Sequence, residues 1–286
     1  MKKLAIINDL SGVGRSSLAI QLPVAAALEV TPCPAPTAIL SSHTAFENVS
    51  KVDFTDHLDA YLTTWNKNNF HFDGILIGYL SSREEQKIIE KFIIQQKEKN
   101  PDLKVILDPV TADHGRLYKH LSMDTVEAMR SLAKYADLIC PNLTEAALLV
   151  DFDYDGLKET LDGCSLDAAK AMIFSTLISA LQHITDGAIV ITGVEECSGS
   201  EDRLLNVLSE SEGDIRFIRN PRAGSGRPGT GDLFSCILAT KYIKGEALES
   251  SCRIAADFVR QAIKHSEDEH VPVINGVQFE DLLQLL

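Results

Sequence analysis

Short apolar runs alternate with longer amphipathic stretches along most of the chain. LAIIN (4–8) is apolar up to Asn8, the pattern of a strand buried on both faces. SSLAIQLPVAAALEV (16–30) has helical spacing, and Pro23 inside it predicts a kink or a break. TAILS (37–41) predicts a second strand, FTDHLDAYLTTW (54–65) a helix and GILIGYL (74–80) a third strand. REEQKIIEKFIIQQKEKN (83–100) is a strongly amphipathic helix that stops at Asn100-Pro101. KVILDP (104–109) reads as a strand stopped by proline, MDTVEAMRSLAKYA (123–136) as a helix and DLICPN (137–142) as a strand. A short helix, LTEAALLV (143–150), a long one over 166–184 and a strand, GAIVITG (187–193), follow. The pattern then changes. RLLNVLS (203–209) and DIRFIR (214–219), joined by a turn with Gly213, predict an antiparallel pair. Two helices, 232–244 and 246–265, and a short last one near 277–286 complete the chain.

This alternation predicts an α/β fold, a central and mostly parallel sheet covered by helices on both faces. No Pro/Gly/Ser-rich linker interrupts it, so one domain over 1–286 is expected. In such sheets ligands bind at the carboxyl ends of strands, which directs attention to the loops that follow them.

Composition narrows the function classes. Of 286 residues, 27 are Lys or Arg and 41 Asp or Glu, a formal net charge of -14 that argues against nonspecific nucleic-acid binding. The apolar run of MKKLAIINDL is too short for a signal peptide. No stretch approaches the ~18 apolar residues of a membrane span. The six cysteines are scattered without a CxxC pair, so a reduced, cytoplasmic protein without a zinc site is expected.

Several of those loops carry polar chemistry. NDLSGVGRSS (8–17) lacks the third glycine of a dinucleotide fingerprint, since Ser17 stands there; it is a glycine-dependent turn or a ligand-lining loop. SSHTAF (41–46) offers His43 and Thr44, as loop caps or as ligand contacts, and Tyr79 ends a strand where it can pack or stack on a flat ring. LDPVTAD (107–113) places Asp108 after an apolar run, which is costly unless it is paired or metal-bound, and Asp113 follows. Two carboxylates at a strand end suit Mg2+, although Asp108 can instead cap the loop. In CPNLTEAALL (140–149), Asn142 and Glu145 have capping-box spacing. Thr192 and Gly193 could meet a phosphate through a hydroxyl and an amide.

RPGTGD (227–232) is the most informative segment. It leads straight into a helix, so the amides of Gly229, Thr230 and Gly231 can converge on an anion at the positive helix end. Asp232 then sits in the first turn. A charged carboxylate there can take a proton from an alcohol while the amides stabilise charge moving onto a phosphate, the pairing that phosphoryl transfer to a hydroxyl requires. A glycine-rich turn with a helix-start Asp is the plainer alternative.

GTGD at the start of a C-terminal helix resembles the ribokinase-like small-molecule kinases. SSHTAF, IGYL (77–80), LDPVTAD, CPNLTEAALL and PGTGDLFS (228–235), in that order, resemble the motifs of the pyridoxal/pyridoxamine kinases over nearly the whole chain. The resemblance implies a three-layer ribokinase-like fold, usually as a homodimer. It implies ATP- and Mg2+-dependent phosphorylation of the 5′-hydroxyl of a vitamin B6 compound, with a monovalent cation such as K+ left open. Asp232 would be the catalytic base and Gly229, Thr230 and Gly231 the anion hole. Asp108, Asp113 and Glu145 would hold magnesium, directly or through water. Asn142, Thr192 and Gly193 would lie along ATP. His43, Thr44 and Tyr79 would surround the pyridine ring. This chain departs from the family in reading N-D-L for Q-S-H, which puts Asp9 in a substrate-binding position where Ser is usual. NDLSGVG also resembles a loop of the hydroxymethylpyrimidine kinases, the alternative assignment. A carboxylate at Asp9 would favour a protonated ring nitrogen.

Absence of GxxxxGK[ST] disfavours a P-loop hydrolase, and the incomplete glycine fingerprint disfavours a dehydrogenase. A non-catalytic ligand-binding protein on the same fold is opposed by the presence of Asp232 with its glycines. Two segments, SGSEDR (198–203) and IRNPRAGSGR (218–227), are solvated surface loops or cover the nucleotide, with Arg222 or Arg227 near its phosphates; SGSEDR is read as a surface loop.

Overall fold

The computed structural model describes residues 1–286 apart from 165–166, 199–200 and 211–212. In chain order the elements begin β1 (Lys3–Ser11), α1 (Ser17–Ala27), β2 (Thr31–Leu40), β3 (Lys51–Asp53), α2 (Thr55–Lys67), β4 (Gly74–Ile77), α3 (Arg83–Lys99) and β5 (Lys104–Leu107). They continue as β6 (Ala112–Asp113), β7 (Arg116–Leu117), α4 (Met123–Ala133), β8 (Leu138–Ile139), α5 (Leu143–Leu149), α6 (Tyr154–Asp162) and α7 (Asp167–Leu181). The last are β9 (Ala188–Ser198), β10 (Glu201–Ser209), β11 (Arg216–Pro221), α8 (Thr230–Ile243) and α9 (Leu248–Asp268), then two short 3-10 turns. The expected α/β pattern of mostly parallel strands and flanking helices is present. Two compact units emerge, Met1–Ile106 with Ala223–Leu286, and Leu107–Arg222. The unbroken alternation of strands and helices gives no sign of that division.

In the first unit β1 pairs in parallel with β2 and with β4, and β3 closes antiparallel on β2. Leu4, Ile6 and Ile7 of β1 and Ile75 to Ile77 of β4 are fully buried, as their unbroken apolar runs require. β2 begins at Thr31, six residues before the expected start at 37. Its prolines stand at alternate positions, 32, 34 and 36. Thr31 N donates to Lys2 O at 2.8 Å, so the alternate residues between the prolines face β1. The prolines point to the other edge, where β3 pairs only from Ala38 onward, and a missing N–H leaves no ladder bond unmade. Of the kink or break expected at Pro23, the break does not occur: α1 runs through Pro23, packed on β1, β2 and α8. The β1–β2 register slips between Asn8 and Leu10, a bulge that sets Asp9 apart from the ladder.

In the second unit β8 pairs in parallel with β9, while β9–β10 and β10–β11 are antiparallel, the last being the pair expected over 203–219. β6 and β7 form a separate hairpin through His114 and Gly115, whose φ values of 48° and 75° suit a tight two-residue turn. The helix expected from 166 is described from Asp167, and residues 199–200 of the SGSEDR segment lie outside the described residues. The five cysteines whose side chains are described are free, and Cys140, Cys236 and Cys252 are buried; the Cys197 side chain is outside that set. Among the described residues no helix is long and apolar enough to cross a membrane.

Candidate active site

The first unit gathers polar side chains where β1 ends. Asp9 is 7% exposed and accepts hydrogen bonds from the Ser11 hydroxyl (3.0 Å) and the Ser17 hydroxyl (2.5 Å). Ser17 reaches it from a left-handed backbone, φ 50°. Burial pushes the Asp9 carboxyl above its ordinary range, and the two hydroxyls oppose that rise. Tyr79 follows β4 and is half-buried. Its hydroxyl accepts from Lys51 Nζ at 3.3 Å, and its carbonyl accepts from the Thr37 hydroxyl at 2.9 Å. Burial raises the Tyr79 phenol, so it stays neutral.

His43 is buried and its nitrogens are committed to the protein. Nε2 donates to Ile274 O at 2.8 Å, because Nδ1 accepts from Ala45 N at 3.3 Å. Desolvation holds its pKa below the usual value, which keeps it neutral. Its ring lies against Phe46 and over Gly14, where a Cβ would come within 2.1 Å of it. His43 therefore shapes the loop, and can offer a ligand its ring but no free nitrogen. Thr44 beside it is exposed.

The GTGD segment opens α8 as expected. Gly229 is the N-cap with φ 86°, and a Cβ there would strike Arg15 O at 2.4 Å. A Cβ on Gly231 would meet open space. The first turn of a helix has no carbonyl partners of its own for its amides, so this opening is suited to an anion. The Thr230 hydroxyl donates to Arg227 O at 3.0 Å. Asp232 is the third helical residue, partly exposed, and its Oδ1 accepts from Asn8 Nδ2 at 3.3 Å. Asn8, Ser11, Ser17 and Lys51 were not singled out from sequence. Asn8 could have been: it is a polar residue that ends an apolar strand.

The second unit holds the remaining candidates. Glu145 is 3% exposed. Its Oε1 accepts from Thr111 N (3.0 Å) and its Oε2 from Asn142 N (2.9 Å), while Asn142 Oδ1 accepts from Glu145 N (2.9 Å). The capping box read from the spacing is thus complete, and it also ties down the loop after β5. Burial, then the Asp108 charge, raise the Glu145 pKa well above the carboxylate range. Asn142 is committed as well, its Nδ2 donating to Ala112 O at 2.8 Å. Thr192 bridges to Asn142 in parallel pairing. Gly193 has φ 64°, is exposed, and has open space where a Cβ would stand. A hollow in this unit is lined by Asp113, Asn142, Thr144, Tyr154, Lys158 and Gly193.

Asp113 is half-exposed and accepts from the neighbouring His114 N at 2.8 Å. Among the described residues no group of three or more His, Cys, Asp or Glu side chains is placed to hold a metal ion by itself. The Asp108 charge is close enough to raise the Glu145 carboxyl, whose oxygens already accept from backbone amides; a cation at Asp108 would reach Glu145 through water. The two arginines named from the sequence both have protein partners. Arg227 is 7% exposed with Nη1 on Val271 O (2.8 Å), and Arg222 pairs with Glu195 at 3.0 Å.

The phosphomethylpyrimidine kinase family model matches residues 20–274. A pyridoxine/pyridoxal/pyridoxamine kinase of Bordetella avium is 27% identical over 193 residues, 66% of this chain and 59% of that protein; the match thus spans about three fifths of the relative's length. The crystal structure of pyridoxal kinase from Lactobacillus plantarum matches with TM-score 0.86 and 29% identity over 100% of this chain and 96% of that one. A candidate phosphomethylpyrimidine kinase from Bacteroides thetaiotaomicron, in a crystal form with pyridoxal, matches with TM-score 0.85 and 30% identity over 99% and 95%.

Proposed function

Because the chain belongs to the phosphomethylpyrimidine kinase family, on the ribokinase-like fold that pyridoxal kinases share, we infer that it phosphorylates the 5′-hydroxyl of pyridoxal, pyridoxamine or pyridoxine with ATP. The observation that carries this reading is Asp232. It stands in the first turn of a 14-residue helix, behind a left-handed Gly229 and beside the open flank of Gly231. A base and an anion hole thus share one helix start. Asp232 would take the hydroxyl proton as the oxygen attacks the γ-phosphorus, and the amides of Gly229 to Gly231 would stabilise charge on the transferring group.

In the same unit Asp9, with Ser11 and Ser17, would meet the ring nitrogen, and Tyr79 would lie on the ring. The second unit would serve the nucleotide, with Gly193 and Thr192 at its phosphates. Asp108 would bind Mg2+ and Glu145 would reach it through water, the cation supplying neutralisation of phosphate charge. The choice of a B6 compound over hydroxymethylpyrimidine is supported by the Lactobacillus structure, alike over the whole chain, and by the Bacteroides relative with pyridoxal. The fold and the glycine-rich loop after β1 also suit the pyrimidine, which is the second reading. By resemblance the protein would act as a cytoplasmic homodimer.

The test is transfer from ATP and Mg2+ to the three B6 compounds and hydroxymethylpyrimidine in parallel, with Asp232→Ala as control. Turnover of B6 compounds that the control loses is the expected result. Turnover of the pyrimidine alone would replace the substrate. No turnover of any would favour a ligand-binding protein on this fold.

A further inference from the structure

Asn8 is 1% exposed, and its carboxamide joins four groups. Oδ1 accepts from the backbone N–H of Asp9 at 3.0 Å and of Tyr79 at 2.9 Å. Nδ2 donates to Gln21 Oε1 at 3.0 Å and to Asp232 Oδ1 at 3.3 Å. The two backbone donors decide which way the amide points. Turned over, its NH2 would face two N–H groups and its oxygen would face two acceptors, so the arrangement that puts N–H on Asp232 is enforced. Gly78 accommodates it: a Cβ there would lie 2.5 Å from Nδ2.

We propose that Asn8 is a positioning residue for phosphoryl transfer, its oriented N–H holding the Asp232 carboxylate in place and in its ionised form. The proposal rests on the reading of Asp232 as base. A hydrogen bond donated to a carboxylate favours the charged state, and losing it disfavours that state. The same amide holds Tyr79 N and Asp9 N, so one buried side chain registers the base against two residues assigned to the ring.

The titratable groups around Asp232 bound what a pH experiment can mean. Cys236, one turn along α8, feels the Asp232 charge but is pushed up to about 12 by burial, and the Tyr79 phenol is also raised. Neither titrates near neutrality. His43 is shifted down and Asp9 up, each by burial, and the Lys51 charge acts on both Asp9 and Tyr79. Asp9 is a second buried carboxyl of the same cluster, so each measurement is repeated in an Asp9→Ser background.

The experiment is the pH profile of kcat for wild type and Asn8→Asp, which keeps the shape but sets a carboxylate against Asp232. The acid limb should move up by at least about one pH unit, with most turnover recovered on the alkaline side. A lowered plateau with an unmoved limb is what a merely structural role gives, and would overturn the proposal. Should Asn8→Asp fail to fold, the wild-type protein labelled with 15N-asparagine decides. The Asn8 amide resonance should titrate with the acid limb and stop titrating in Asp232→Asn; a flat resonance overturns the proposal. If Asp232→Ala keeps turnover, the base assignment falls and takes this inference with it. A dead Asp232→Ala beside an unmoved Asn8→Asp limb removes the inference alone.

Discussion

Asp232 and Glu145 occupy the same place in their helices, the third residue of the first turn, and have opposite fates. The difference is the N-cap. Asn142 caps α5 with its side chain and receives the Glu145 carboxylate in return, so Glu145 is buried with backbone amides on both oxygens. Gly229 caps α8 without a side chain, so no reciprocal box closes over Asp232, which remains partly exposed beside Asn8. A carboxylate at a helix start serves the fold where the cap answers it. It is available for chemistry where the cap is glycine.

The largest test of that contrast is to remove each carboxylate. Asp232→Ala should lower turnover by about 10²–10⁴-fold and cost about 1 kcal/mol, the share of one hydrogen bond from Asn8. Glu145→Ala should cost at least about 2 kcal/mol in urea unfolding, since it strips partners from buried amides. The contrast breaks if Glu145→Ala unfolds at the wild-type midpoint, or if Asp232→Ala is the less stable of the two.

The glycines sharpen the same point. Gly229→Ala forces a side chain into φ 86° and against Arg15 O, and should destabilise by roughly 1–3 kcal/mol. Gly231→Ala meets nothing in the protein, so stability should hold while kcat falls, by about tenfold if a phosphate passes over it. Equal losses of stability in the two variants would deny Gly231 a role toward a ligand.

This contrast was half legible in the sequence. P-N-L-T-E announces a capping box and G-T-G-D announces a helix without one, because caps are local chemistry. The α/β alternation was legible for the same reason, since period and burial travel together. What escaped depends on the partner strand or on distant residues. The strand over TAILS extends back through three prolines to Thr31, and only the pairing with β1 shows which edge needs N–H groups. Pro23 reads as a kink or a break, and only the packing on β1 and α8 shows that α1 is continuous there. Asn8 meets Tyr79 and Asp232 across 71 and 224 residues of chain, and no local pattern encodes such contacts. The bond from His43 Nε2 to Ile274 O joins residues 231 apart, equally out of reach of a local pattern. The β6–β7 hairpin that leaves Asp113 half-exposed has two residues per strand, too few for a periodic signal.

Asp9 should give a smaller effect, on substrate binding alone. Asp9→Ser should keep kcat within about tenfold and change the pH dependence of KM for pyridoxal, because the carboxylate favours the pyridinium form. Superimposable KM profiles for wild type and variant would remove Asp9 from the ring nitrogen.

The smallest expected effect concerns a third carboxylate at the same helical position. Glu85 is the third residue of α3, and its cap Ser82 accepts from Glu85 N at 3.2 Å. Its carboxyl does not return to Ser82. It reaches one residue further back to Ser81 N at 2.7 Å, and to the Thr55 hydroxyl at 3.1 Å, while fully buried. Burial pushes its pKa from 4.5 up to about 7. The folded protein therefore holds a proton that the unfolded chain releases. That stabilisation is complete below about pH 4.5 and fades as pH rises through about 7. Glu85→Gln cannot titrate, so its stability should fall less than that of wild type between pH 5 and 8, read from urea midpoints at fixed ionic strength. Parallel curves would mean that Glu85 is ionised throughout. It would then stand apart from Glu145, whose carboxyl is held above the carboxylate range by burial and the Asp108 charge.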